Sequence, residues 1–269
     1  MNFEIDLDKT RTFGAEVDFG RTASDYSKYR QGFPDQWFEA IVQKGIIKPD
    51  SHVLDLGTGT GTIARGLALK GFKTVGLDPA EELLKEAKKL DVAAGVEVHY
   101  LTGRAEQTKL PSESFHAITA GQCWHWFNGV EVAQECKRLL KPKGAIIIAH
   151  FDWLPLKGNI VEATENLIIK FNNRWSMGGG TGIYPRWLSD IALAGFTSIE
   201  TFSFDLYVPY TPEAWRGRIR ASAGVKASLT EEKAREFDNA LKEIIAANFP
   251  GEILFIPHRC WTVAGSKPS

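Results

Sequence analysis

The chain has 269 residues, 32 of them basic and 33 acidic, for a formal net charge of -1. A hydrophobic fraction of 43% supports a folded core and excludes a disordered tail, while the charge balance removes bulk electrostatics as a reason to bind nucleic acid or an anionic membrane. Three scattered cysteines (Cys123, Cys136, Cys260) give neither a disulfide framework nor a zinc pattern, so no metal is expected. The acidic start, Met1 to Asp8, lacks the basic-then-apolar order of a secretory leader, and no apolar run is long enough for a bilayer. A soluble cytoplasmic protein is the expectation.

The residues up to about Gln43 read as an N-terminal helical segment that could close over a site. His52–Leu56 is a short β-branched and leucine run that enters the cluster Gly57, Gly59, Gly61, and helical spacing follows from Ile63 to Lys70. Lys73–Leu77 is the second predicted strand. Glu81–Leu90 is a helix with Leu83, Leu84, Ala87 and Leu90 on one face. Strands are predicted at Val96–Leu101, Ser114–Ala120 and Ala145–Ala149, with a helix at Val130–Leu140 and a turn at Lys141–Gly144. The second half reads as helices at Asn159–Asn172, Trp187–Ala194, Pro212–Ala223 and Glu231–Ala247, and strands at Thr197–Tyr207 and Pro257–Ala264. Regular alternation of strand and helix predicts an α/β fold with a doubly wound, mostly parallel, seven-stranded sheet and a helical cap. The expected organisation is a lid over 1–43, a nucleoside-binding core over 44–150, and over 151–269 the rest of the sheet with helical insertions.

The strongest motif is Val53-Leu54-Asp55-Leu56-Gly57-Thr58-Gly59-Thr60-Gly61, a strand running into alternating glycines and then a helix. Such glycines let the backbone approach a ligand and adopt torsions other residues avoid. Asp78 closes the next strand, where an acid can accept both hydroxyls of a ribose. The dinucleotide pattern Gly-x-Gly-x-x-Gly is not met, because Thr62 stands at its third glycine. Asp55 suits a cationic group better than a pyrophosphate.

Asp-x-Gly-x-Gly-x-Gly resembles the loop of class I S-adenosyl-L-methionine (AdoMet) methyltransferases. The resemblance implies cofactor contacts at Asp55, Gly57, Thr58, Gly59, Gly61, Asp78 and Pro79. It also implies that Ala105 offers a backbone amide to the adenine, that Glu106 faces its exocyclic amine, and that Gln122 lies beside the cofactor. Gly121-Gln122-Cys123-Trp124-His125-Trp126-Phe127 resembles the small-molecule branch that includes trans-aconitate methyltransferases. Tyr26-Ser27-Lys28-Tyr29-Arg30 resembles the lid of that branch, with Tyr29 and Arg30 near the methionyl end or, alternatively, a packed tyrosine and a solvated arginine.

Methyl transfer from a sulfonium needs alignment and exclusion of water, and a base only when the acceptor carries a proton. His125 is the candidate base, or else a residue that only packs and orients. Trp124 and Trp126, read as extended, would point to opposite sides and contact cofactor and substrate. His150 and Arg259 are the other candidate substrate contacts. Asp152 pairs with His150 just after the fifth predicted strand as a weaker candidate acceptor contact, and Gly178–Gly180 reads either as a flap or as a connector. The expected activity is AdoMet-dependent methylation of a small organic acceptor, with a carboxylate or a hydroxyl as the candidate acceptor groups; a non-catalytic AdoMet binder and a nicotinamide-dependent oxidoreductase are the alternatives.

Overall fold

The computed structural model describes residues 32–222, 224–225 and 228–269. Tyr29, Arg30 and most of the expected lid lie outside the described residues. Seven strands form one sheet in the order β3-β2-β1-β4-β5-β7-β6. They are β1 His52–Leu56, β2 Lys73–Asp78, β3 His99–Thr102, β4 Phe115–Gly121, β5 Leu140–Trp153, β6 Thr197–Tyr210 and β7 Leu254–Ser266. The pairs β1–β2, β1–β4, β2–β3 and β4–β5 are parallel, and β7 runs antiparallel to β5. The chain order reverses between β1 and β4, which makes that pair the topological switch point, and open α/β sheets bind ligands beyond the strand ends there.

Helices precede β1 and separate the first five strands, except that β3 leads to β4 through a segment without a helix: α1 Asp35–Gln43, α2 Thr62–Leu69, α3 Glu81–Ala94 and α4 Gly129–Leu139. The central strands β1, β4 and β5 are buried along nearly their whole length, as expected for a sheet covered on both faces. One large core joins Leu54, Ile118, Ile146, Trp124, Trp187 and Trp261 with their neighbours. Trp37 of α1 is fully buried, and its indole N–H donates to Thr262 Oγ1 at 2.9 Å. Burying one such ring removes roughly 200 Å² from water, about 5 kcal/mol on an area scale.

The expected turn at Lys141–Gly144 is absorbed into β5. Phe115 pairs with Leu140 but Ala117 pairs with Ala145, so the intervening residues bulge from the ladder, with Lys143 at φ 63°.

The described chain divides into two compact units. The sheet unit takes residues 32–153, 182–206 and 257–269, and contains α6 (Arg186–Leu193). The helical unit takes 154–181 and 207–256, with α5 Ile160–Phe171, α7 Pro212–Arg220 and α8 Glu231–Asn248. Each of these three helices starts at a side-chain cap, from Asn159, Thr211 and Thr230. Trp215 is buried and donates to Thr164 Oγ1 at 3.1 Å, and Phe171 meets Phe237 edge-on. Arg216 and Arg220, one turn apart on α7, share Asp238 of α8, so this arginine pair serves an ion cluster. The Gly178–Gly180 loop is tied down rather than a free flap: Gly179 N–H donates to Glu165 Oε2 at 2.7 Å.

Candidate active site

The loop after β1 is held from both sides. Gly57, Gly59 and Gly61 have φ of 60°, 57° and 77°, in the left-handed region where a side chain is strained. The three differ in what surrounds them. A Cβ on Gly57 would meet Cys123 Cβ at 2.8 Å, and one on Gly61 would run into the Tyr100 hydroxyl. A Cβ on Gly59 would meet nothing within 4 Å. Gly59 therefore borders open space, while its neighbours are glycine for packing as well as torsion.

Asp78 ends β2 beside this loop. Its Oδ2 accepts the Gly59 N–H and its Oδ1 accepts the Ala80 N–H, each at 2.9 Å. Burial pushes the carboxyl above the usual carboxylate range, opposed by those two amides. A carboxylate offers about four lone-pair directions. Two amides leave two, which matches the paired hydroxyls of a ribose.

Asp55 is placed differently from the expectation. It is 2% exposed, with Thr58 Oγ1 donating to Oδ2 at 2.6 Å and Thr119 Oγ1 donating to Oδ1 at 2.8 Å. The carboxyl lies beneath the loop, braced by two hydroxyls, rather than at its mouth. Burial is the largest influence and pushes it up to about 7, against the two threonine hydrogen bonds. Thr119 was not singled out by the sequence; a lone threonine within an apolar strand carries no pattern signal.

Of the other predicted cofactor residues within the described chain, Pro79, Ala105, Glu106 and Gln122 follow the carboxyl ends of β2, β3 and β4. Gly103 N–H donates to Asp78 O at 3.2 Å, which seats the β3 loop against β2. Ala105 is buried in the main core, and Glu106 Oε2 lies 3.6 Å from Arg104 Nε. Gln122 takes φ 58°, its N–H donates to Ala149 O at 2.9 Å, and its Nε2 donates to Phe151 O at 2.5 Å. The left-handed torsion at Gln122 ends β4 and turns the chain into the next segment.

That turn corrects the extended reading of the aromatic stretch. Trp124–Trp126 is a 3₁₀ turn, closed by Trp126 N–H to Cys123 O at 2.9 Å and Phe127 N–H to Trp124 O at 3.1 Å. Trp124 is 2% exposed in the main core, and its indole N–H donates to Asp190 Oδ2 at 2.9 Å. It is a core residue and not a substrate contact. Trp126 is 36% exposed and packs on His125, ring centroids 4.7 Å apart.

His125 and His150 come together, with ring centroids 5.4 Å apart at the ends of β4 and β5. His150 also faces Tyr184 at 4.6 Å and Trp187 at 5.7 Å, and Tyr184 stacks flat on Trp187 at 4.3 Å. Tyr184 O–H donates to Asp152 Oδ2 at 2.6 Å. Tyr184 escaped the sequence reading because it sits in an aperiodic Gly182-Ile183-Tyr184-Pro185 connector. Arg259 is opposite Asp152 in the ladder, yet its Nε and Nη2 hold Asp205 bidentately, each at 2.7 Å. This pairing corrects its assignment to an acidic substrate. Among the described residues no group of three or more His, Cys, Asp or Glu could hold a metal ion, and no helix is long and apolar enough to cross a membrane. The thiols of Cys136 and Cys260 are pushed up by burial, which fits packed rather than reactive cysteines.

A glycine loop at the switch point, with an acid closing the second strand, is a frame suited to a nucleoside cofactor. Residues 54–148, which run from β1 into β5, match the methyltransferase domain family. A candidate methyltransferase of Dictyostelium discoideum is 31% identical over 141 residues, covering 52% of this chain and 51% of that protein, so the match spans about half the length of that relative. An uncharacterized methyltransferase of Schizosaccharomyces pombe is 25% identical across 91% of this chain and 93% of its own. A candidate methyltransferase from Bacillus halodurans superposes with a TM-score of 0.57 at 23% identity, covering 86% of this chain and 98% of that one. Phosphoethanolamine N-methyltransferase 2 of Haemonchus contortus, solved with phosphomonomethylethanolamine and S-adenosylhomocysteine, superposes with a TM-score of 0.56 at 19% identity, over 96% of this chain and 59% of that one. These two structures share the fold.

Proposed function

We propose that the protein transfers a methyl group from AdoMet to a small organic acceptor in the sheet unit, beyond the ends of β4 and β5. The observation that carries this reading is the Gly59 edge: open space above a left-handed glycine whose amide is fixed by Asp78. When bound, AdoMet supplies a methyl group already activated by its sulfonium, so the protein contributes alignment and a dry site.

The chain's residues divide the task. Asp78 would accept the ribose hydroxyls on its two remaining lone-pair directions. Ala105 and Glu106 would take the adenine, and Gly57 to Gly61, with Pro79 and Gln122, would frame the crevice. Asp55 acts through the loop, by bracing Thr58 and the β1 end. Trp126 and Tyr184 would wall the acceptor side, and His125 would orient the acceptor or take its proton. The likeness of the His125-Trp126-Phe127 stretch to small-molecule methyltransferases favours a compact acceptor over a macromolecule, and the relatives named as methyltransferases favour turnover over mere AdoMet binding. A cytoplasmic setting belongs to the same reading.

The test uses AdoMet carrying a labelled methyl group, incubated with the protein and a panel of phenols, amines and short carboxylic acids. Label is expected in an organic product, with equimolar S-adenosylhomocysteine, and a rate at least tenfold lower in His125→Ala. Oxidation of NADH by the protein with no methyl transfer would sink the reading.

A further inference from the structure

A second concave feature of the sheet unit lies at the opposite edge of the sheet from Gly59 and Asp78. It is a cleft of about 580 Å³, bordered by the residues before β1, the amino ends of β4 and β6, the bulge of β5 and the carboxyl end of β7. Four lysines line it, Lys44, Lys48, Lys141 and Lys143, against two acids, Asp50 and Glu200, an excess of two positive charges on a chain whose net charge is -1. Glu200 is held by Lys44 at 3.3 Å. Lys48 and Lys143 pair with no acid among the described residues. The backbone is unusual at the same place. Six non-glycine residues among those described have left-handed φ, and three of them line the cleft: Asp50 at 60°, Lys143 at 63° and Ser198 at 49°. Such torsions persist only where the surrounding structure fixes them. The bulge is fixed by Lys143 N–H to Lys267 O at 3.1 Å and by Lys267 N–H to Gly144 O at 2.8 Å.

Hydrogen-bond donors are in surplus on one wall. His116 Nδ1 accepts the backbone N–H of His52 at 2.9 Å, and its Nε2 faces Lys141 Nζ at 3.1 Å. Burial, and then the charge of Lys141, hold this imidazole below the usual histidine range, so the ring is neutral near pH 7. A neutral imidazole has one acceptor nitrogen and one N–H, and a lysine ammonium has only donors. With Nδ1 accepting from the chain, Nε2 carries the proton. Two donors, Nε2–H and the ammonium, therefore meet with no acceptor between them. An anionic oxygen seated over both would take a charge-assisted hydrogen bond from the lysine and a second bond from the ring. Among the described residues no arginine lines the cleft, so the planar fork that fits a carboxylate is missing. Lysine point charges suit a compact tetrahedral group that carries two negative charges. We infer that this cleft binds a phosphoryl group, held by Lys141 and His116 Nε2–H, with Lys48 and Lys143 supplying the balancing charge. The site shares no residue with the cofactor crevice and does not depend on the methyltransferase reading.

The experiment follows backbone amide NMR signals of the protein, in phosphate-free buffer, during titration with inorganic phosphate. Saturating shifts are expected at Ser51, His116 and Gly144. The affinity is expected to be about tenfold weaker in Lys141→Gln, the factor that one hydrogen bond to a charged group is worth. Lys143→Gln, at an exposed side chain, is expected to weaken binding in the same direction and reports even if Lys141→Gln folds poorly. Lys88→Gln on α3 removes the same charge away from the cleft and is expected to leave the affinity unchanged. Two further arms identify what carries the phosphoryl group: glycerol 3-phosphate in the same titration, and co-sedimentation with phosphatidylcholine vesicles containing phosphatidic acid. Tighter binding of glycerol 3-phosphate than of inorganic phosphate assigns a soluble phosphomonoester. Pelleting with the acidic vesicles that is lost in Lys141→Gln assigns a lipid headgroup. No response of the cleft to any of the three probes, or a loss in Lys88→Gln equal to that in Lys141→Gln, would overturn the inference.

Discussion

Adding one methyl group to Gly59 or to Gly61 separates binding from folding. Both residues are left-handed, so alanine at either costs on the order of 1 kcal/mol in backbone strain. At Gly61 the new Cβ also strikes the Tyr100 hydroxyl and comes within 3.1 Å of its Cζ, whereas at Gly59 it enters open space. Gly61→Ala is therefore expected to lower the melting temperature by several degrees more than Gly59→Ala, since overpacking adds about 1–3 kcal/mol. Gly59→Ala is expected to weaken AdoMet at least tenfold with a nearly native melting temperature. Melting curves and calorimetric titrations of both variants check this, and equal losses of stability would contradict the division. Asp78→Ala removes a charged acceptor from two amides as well as from the ribose, and should weaken AdoMet by about 10–100-fold, because hydrogen bonds to charged groups are worth about 1.5–3 kcal/mol. Unchanged affinity would remove Asp78 from the site.

At the scale of elements, the strands and helices of the alternating region were legible because apolar runs of strand length are bounded by glycine, proline and charged turns. Glu81–Ala94 is a helix whose buried face holds Leu83, Leu84 and Ala87 as its spacing predicted, with Asp91 buried and Leu90, expected on that face, only half-buried; Gly95 at φ 69° stops it. The aromatic stretch was misread because three consecutive rings fit an extended segment as well as a 3₁₀ turn, and the deciding torsion lies at Gln122, a residue type with no local preference for it. Trp124 is consequently a structural hinge between the 3₁₀ turn and α6. Asp190→Ala would leave its indole N–H buried without an acceptor, at a cost of roughly 1–3 kcal/mol, while Asp190→Asn keeps an oxygen there and should retain most of that stability. Denaturant melts of the two variants measure the difference; the same loss in both would mean that the contact does not matter. The contacts of Tyr184 were invisible for the opposite reason: they join the connector to Asp152 of β5 and to the ring of Trp187, and no local sequence pattern marks them.

The whole molecule is nearly neutral, so its pH response is set by individual buried groups rather than by net charge. Asp55 is the strongest of these, since burial pushes its carboxyl up to about 7 from about 4 in an unfolded chain. The native state then holds the proton more tightly than the unfolded state. Its contribution to stability is full below about pH 4 and is lost as the pH rises toward about 7, by up to about 4 kcal/mol. Glu135 and Asp205, held low by Arg138 and Arg259, act in the opposite sense, and their contribution is lost only as the pH falls below about 4. Between pH 4 and 7 the wild type is thus expected to lose stability as pH rises, and Asp55→Asn to flatten that slope. Chemical denaturation at several pH values tests this; parallel slopes would show that Asp55 is ionised throughout. The loop after β1 and the acid ending β2 were legible from sequence, because spacing along two adjacent strands fixes both. The aromatic cluster of His150, Tyr184, Trp187 and Trp261 was not legible, because it is assembled from β5, the connector, α6 and β7.

The central claim is that the crevice beside Gly59 takes AdoMet, and calorimetric titration of the purified, cofactor-free protein with AdoMet and separately with NADH tests it most directly. Micromolar affinity for AdoMet, lost in Asp78→Ala, with no heat from NADH, is the result expected. A folded protein that binds NADH and not AdoMet would contradict the account at its foundation.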